Sequence, residues 1–94
     1  MVNKEKLGFI DFFPDTAFDD HFENFFKKIK DQKLKLKVKK QVKKVICDPE
    51  MGKPMRNLRK GTRELYIKPY RLSYIFLEKP GKIIFLDIYH KDNQ

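Results

Sequence analysis

Between Gly61 and Lys91 three short runs of alternating or continuous apolar residues follow one another, the first two each stopped by a proline, and this stretch limits the fold more than any other. Thr62 to Ile67 reads Thr-Arg-Glu-Leu-Tyr-Ile, β-branched and aromatic at alternate positions, and Lys68-Pro69 interrupts it. In the next run, Tyr70 to Leu77, side-chain alternation puts Tyr70, Leu72, Tyr74 and Phe76 on one face and Arg71 and Ser73 on the other. Glu78-Lys79-Pro80-Gly81 is a turn. Lys82 to Tyr89 is nearly continuous in apolar residues, as expected of a strand covered on much of both faces and central to a sheet. Three strands joined by short turns predict an antiparallel meander.

The residues upstream read as support for that sheet. Phe9 to Phe13 is short, aromatic and stopped by Pro14, which predicts a first strand. Asp15 is then placed to cap a helix. Phe18, Phe22, Phe25, Phe26 and Ile29 fall on one stripe of that helix and predict its core face. Asp19, Asp20 and Glu23 lie towards its start and Lys27, Lys28 and Lys30 towards its end, as the helix dipole favours. Lys33 to Cys47 fits both periods: Leu34, Leu36 and Val38 alternate like a strand, whereas Leu34, Val38, Val42, Val45 and Ile46 line a helix. Its length, and the stop at Asp48-Pro49, favour a second helix with Leu36 on the wet face. Pro49 to Lys60 is then a loop into the meander. The expectation is a single α+β domain over residues 1–94: an N-terminal strand, a two-helix hairpin and a three-stranded antiparallel meander.

Charge narrows the function. Twenty-two Lys and Arg against 13 Asp and Glu leave a net charge of +9, which for one small domain favours a polyanionic partner, either nucleic acid or an acidic protein. The lysines of Lys33 to Lys44 supply much of it and would attract phosphates at long range. Cys47 is the only cysteine, which excludes an intrachain disulfide and predicts a buried thiol in a reducing, cytoplasmic setting. No apolar run is long enough to cross a bilayer, so no membrane association is expected. His21, His90 and Cys47 show no ligand spacing with the scattered carboxylates, so no metal and no cofactor is expected. His21, inside an acidic helix start, reads as a surface residue.

Hairpin arithmetic locates the chemistry. If the last hairpin turns about Pro80, residues whose numbers sum to roughly 160 face each other, and Arg71 lies opposite Tyr89 or a neighbour. Lys68, Arg71, Tyr89, His90 and Lys91 are then expected at one end of the sheet, with the Pro49 to Lys60 loop near enough to add Arg56 or Arg59. Arginine holds a phosphate through two parallel hydrogen bonds, and histidine is the side chain most readily used as acid or base near neutral pH. The same side chains also read as ordinary strand-end charges.

Gly52-Lys53-Pro54, Leu58-Arg59-Lys60-Gly61, Arg63-Glu64-Leu65-Tyr66-Ile67, Tyr70-Arg71-Leu72-Ser73-Tyr74 and Leu86-Asp87-Ile88-Tyr89-His90-Lys91 together resemble the consecutive blocks of the RelE/ParE toxin superfamily, most of all its RelE, YoeB and HigB branches. The resemblance implies the RelE-like, microbial-RNase-like fold and the toxin half of a type II toxin–antitoxin pair. It also implies metal-free, ribosome-dependent cleavage of mRNA through the ribose 2′-OH, with an antitoxin, the ribosome and mRNA as partners in a hetero-oligomer or on the ribosome. Arg71 matches the arginine that contacts the scissile phosphate, and His90 the C-terminal histidine of YoeB-like and HigB-like members, to be used as acid or base. Tyr89 and Lys91 would assist. Lys53, Arg56, Arg59, Lys60, Arg63 and Lys68 would bind phosphate, and Glu64 is the runner-up base. One departure is plain: Met55 follows Pro54 where YoeB-like toxins carry a glutamate. The alternatives are a ParE-like toxin that acts on DNA gyrase by protein contact, and an inactive basic RNA- or ribosome-binding domain.

Overall fold

The computed structural model describes residues 15–93. In chain order these form strand β1 (Asp15–Phe18), helix α1 (Asp20–Lys28), helix α2 (Gln32–Cys47), the two-residue strand β2 (Lys53–Pro54), a 3-10 turn (Asn57–Arg59), strands β3 (Arg63–Ile67), β4 (Tyr70–Leu77) and β5 (Lys82–His90), and a last 3-10 turn (Lys91–Asn93). The expected strand at Phe9 to Phe13 lies outside the described residues.

The five strands make one sheet in the order β1-β5-β4-β3-β2. The meander is β3-β4-β5, with β4 at the centre and β5 one place out, so the nearly continuous apolar run is an interior strand but not the middle one. The β4–β5 pairing follows the sum of 160 from Tyr70↔His90 through Ser73↔Asp87. Beyond it a bulge intervenes: Tyr74 faces Phe85, which leaves Leu86 as the extra residue and lowers the sum by one. β1 joins the free edge of β5 in parallel, Thr16 opposite Ile83 and Phe18 opposite Phe85.

That parallel strand corrects the reading of the N-terminal segment. Asp15 is not the cap of the helix; it opens β1, and Phe18 ends that strand instead of entering a helix. The cap is Asp19, whose carboxylate accepts from the His21 backbone N–H. The edge of β5 explains the difference, because Asp15 and Asp19 donate backbone N–H groups to Gly81 and Phe85 carbonyls across it. α2 is capped in the same way by Asp31, which accepts from Lys33 and Leu34.

Both helices contribute to one core against one face of the sheet. Phe22 and Ile29 meet Val38, Val42, Val45 and Ile46, and these pack on Ile67, Leu72, Tyr74, Ile83, Phe85 and Ile88. Each such side chain, fully buried, adds about 1.5–3 kcal/mol. Phe18 still joins the aromatic cluster, stacked on Phe85 with ring centroids 5.3 Å apart, but reaches it from the sheet. Leu36 lies on the wet face as expected. Cys47 does not follow its expectation: it is exposed, because Val45 and Ile46 take the buried positions of the last turn of α2.

Candidate functional site

Alternation along the meander assigns each strand residue to a face, and cross-strand partners share one. Tyr70, Leu72, Ile88 and His90 point to the helices. Glu64, Tyr66, Arg71, Ser73, Asp87 and Tyr89 point to the second face, by the pairs Glu64↔Ser73, Tyr66↔Arg71, Arg71↔Tyr89 and Ser73↔Asp87. Among the described residues no helix covers that second face.

Glu64 lies at its centre. Its side chain is only 2% exposed. Oε2 accepts from Arg59 Nη1 at 2.8 Å and from the Tyr89 hydroxyl at 2.6 Å. Arg59 Nη1 also donates to the Tyr89 oxygen at 2.7 Å, and its guanidinium lies 4.7 Å from the centre of that ring. Arg71 approaches the other carboxylate oxygen: Nη1 is 3.7 Å from Oε1, an ion pair beyond hydrogen-bonding range. Oε1 and Arg71 Nε are both buried without a hydrogen-bond partner among the described residues. Burial first, and donation to Glu64 second, push the Tyr89 hydroxyl up to about 12, so at neutral pH it is a fixed donor.

The 3-10 turn delivers Arg59. The Thr62 hydroxyl and backbone N–H both donate to the Arg59 carbonyl, at 2.7 and 3.1 Å, and Gly61 between them takes a φ of 97°, which favours glycine. The preceding loop is fastened by two other residues. The buried Tyr74 hydroxyl accepts from Gly52 N–H at 2.8 Å and donates to the Pro49 carbonyl at 2.7 Å. Arg63 donates to the carbonyls of Glu50 and Gly52.

These positions divide the residues expected to form the site. Arg71, Tyr89, Glu64 and Arg59 come together. Lys91 reaches the Tyr66 ring beside them, its ammonium 5.8 Å from the ring centre. Arg63 instead holds the loop backbone by its guanidinium. Lys53, Arg56, Lys60 and Lys68 stand exposed, with Lys60 before the start of β3 and Lys68 just past its end, so they are not gathered at one point. His90 is at the expected end but on the opposite face from Arg71. Its ring packs edge-on to Tyr70, centroids 5.6 Å apart, and Tyr70 in turn meets Phe25. Its Nδ1 accepts from the Asp92 backbone N–H at 3.2 Å and lies 3.6 Å from the Asp92 carboxylate. The expected convergence of Arg71 with His90 is therefore replaced by one of Arg71 with Glu64. Tyr66, absent from the expected set, stands beside Arg71 on the same face; its place two residues after Glu64 was the available signal.

Chemically, two guanidinium groups flank one carboxylate, and an ammonium lies over the neighbouring Tyr66 ring. The excess positive charge suits a phosphate, which planar arginines bind through paired hydrogen bonds. Among the described residues no group of three His, Cys, Asp or Glu side chains is arranged to hold a metal ion. Nor is any helix among them long and apolar enough to cross a membrane.

A family model described as the ParE toxin of type II toxin–antitoxin systems, parDE, matches residues 16–94. Comparison with curated protein sequences gave no match. Among solved structures, the toxin–antitoxin complex RelBE2 of Mycobacterium tuberculosis contains a chain that superposes with a TM-score of 0.71 at 21% identity, over 84% of this chain and 99% of that one. The YoeB/ParE toxin of Agrobacterium tumefaciens gives 0.71 at 10% identity, over 81% and 96%. The isolated RelE toxin of E. coli gives 0.68 at 16% identity, over 82% and 83%. At these identities the structures speak for the fold.

Proposed function

The chain belongs to the family of ParE toxins of type II toxin–antitoxin systems, within the RelE/ParE superfamily, and from that premise we propose that it is a ribosome-dependent endoribonuclease. The observation that carries this reading is the cluster on the second sheet face: a partly exposed Arg71 lying over a buried carboxylate oxygen with which it makes no hydrogen bond.

In this reading the substrate phosphate draws Arg71 onto itself. The arginine thereby leaves Glu64 Oε1 uncovered, and Oε1 takes the proton of the ribose 2′-OH. The 2′-oxygen attacks the adjacent phosphorus, the bond to the 5′-oxygen breaks, and the Lys91 ammonium protonates the departing oxygen. Arg71 stabilises the charge that builds on the phosphorane, a contribution of about 3–4 kcal/mol by analogy with a single oxyanion-hole donor. Arg59 and Tyr89 hold Oε2 and so fix the carboxylate for proton transfer at Oε1. His90 has no part at the scissile phosphate in this scheme; from the helix face it would touch flanking RNA or the ribosome. Because the base is buried and the arginines are partly neutralised, alignment of the mRNA by the ribosome is needed for rate. A cognate antitoxin with an acidic segment would pair with the lysine-rich surface of α2 and fold as it binds.

The second reading is a ParE-like toxin that acts on DNA gyrase by contact. The family model itself and the burial of Glu64 favour it. Expressing the chain alone and mapping 5′ ends on translated mRNA separates the two. New ends inside translated frames are expected; growth arrest with intact mRNA and damaged DNA would support the gyrase reading.

A further inference from the structure

Tyr66 is the only exposed phenylalanine or tyrosine side chain among the described residues, with 52% of its surface in water. Every other phenylalanine or tyrosine ring among them is drawn at least partly into the core or into the Glu64 cluster. A tyrosine at the end of β3 is free to bury its ring against the helices only if it occupies the Leu65 or Ile67 face, and alternation puts it on the other one. There it is flanked by two cations: Arg71 Cζ lies 5.9 Å and Lys91 Nζ 5.8 Å from the ring centre. Both are long for a cation–π contact, so neither seals the ring.

We infer that Tyr66 is a base-stacking platform, the subsite that takes the nucleobase next to the scissile phosphate of single-stranded RNA. The inference rests on the RNA reading of this face and deepens it. An aromatic ring between two phosphate-binding cations matches the chemistry of a single-stranded nucleotide, whose base has a π-face and whose flanking phosphates are anionic. The ring is carried on a paired strand, so its position is fixed relative to Arg71, its direct cross-strand neighbour. A base stacked on Tyr66 therefore places its own phosphate at Arg71, and the stacked base, not a hydrogen-bonding pocket, sets register. Preference among bases should follow stacking strength, purines over pyrimidines. If Tyr66 served only as the strand partner of Arg71, its removal would affect the sheet and leave RNA affinity unchanged.

The test uses an RNA that binds but cannot react: a short single-stranded oligonucleotide, 2′-O-methylated throughout, with one 2-aminopurine whose fluorescence falls on stacking. The full-length protein is expected to quench it, and Tyr66→Phe to quench it equally. Tyr66→Ala should lose the quenching and weaken affinity roughly 5- to 150-fold, the range of single base–aromatic stacks. Circular dichroism should be unchanged, since the side chain is half in water and outside the core. Equal affinity and equal quenching by a folded Tyr66→Ala, or no quenching by the unmodified protein, would overturn the platform. The RNase reading fails by a different measurement, the rate on translated mRNA, so cleavage with an Arg71 requirement but no Tyr66 effect rejects the platform alone.

Discussion

Glu64 and Arg71 sit on neighbouring strands with Oε1 and Nη1 3.7 Å apart, close enough to attract and too far to hydrogen-bond. Each also keeps a buried polar atom without a partner among the described residues, a condition that costs about 1–3 kcal/mol per group. In the proposed mechanism this guanidinium exchanges the Glu64 carboxylate for the substrate phosphate.

The placement of His90 gives the first prediction. Because it faces Tyr70 and not Arg71, His90→Ala should lower single-turnover cleavage on the ribosome by less than tenfold. The larger loss expected of a group at the scissile phosphate, 10² or more, would return it to the chemistry.

Gly52 and Tyr74 give the second. A Cβ at Gly52 would lie 2.5 Å from the Tyr74 hydroxyl oxygen and 2.7 Å from a ring carbon, and the ring is fully buried in the core. Tyr74→Phe should cost about 1–2 kcal/mol in urea unfolding, the loss of two hydrogen bonds at a buried site. Gly52→Ala should cost more, because the ring carbon clashes even when the loop shifts away from the hydroxyl. Equal costs would mean that the loop yields freely.

Tyr89 gives the third, in alkali. Its hydroxyl titrates near 10 when unfolded and is pushed up to about 12 when folded, by burial and by donation to Glu64. The unfolded chain thus loses this proton first. The stabilisation is complete below pH 10 and disappears as the pH rises towards 12. Unfolding free energy measured across that interval should fall more steeply for the unmodified protein than for Tyr89→Phe. Parallel curves would contradict the Tyr89–Glu64 bond.

Much of this was readable from the residues alone. Proline breaks and alternation defined the meander, and the sum of 160 paired Arg71 with Tyr89. The same sum pairs Tyr70 with His90, so the separation of His90 from Arg71 onto opposite faces was also present in the numbers; proximity along the chain concealed it. Glu64 stands behind His90 as a candidate base in the sequence because its burial depends on Arg59 arriving from a loop whose path no periodicity encodes. β1 was hidden for a related reason. Phe18 has the spacing of a helix face, and only the vacant edge of β5, a tertiary feature, draws residues 15–18 into a strand. Cys47 was misjudged on residue type, since one turn of α2 decides which of Val45, Ile46 and Cys47 meets the core.

The central claim is that Arg71 acts on a phosphate, and it is tested most directly by single-turnover cleavage of mRNA on saturating, translating ribosomes. Arg71→Ala should fold normally by circular dichroism, since its side chain is partly exposed and outside the core, and its cleavage rate should fall by about 10²–10³. A folded Arg71→Ala variant that cuts at the unmodified rate, or an unmodified protein that leaves mRNA intact while inhibiting purified gyrase, would contradict it.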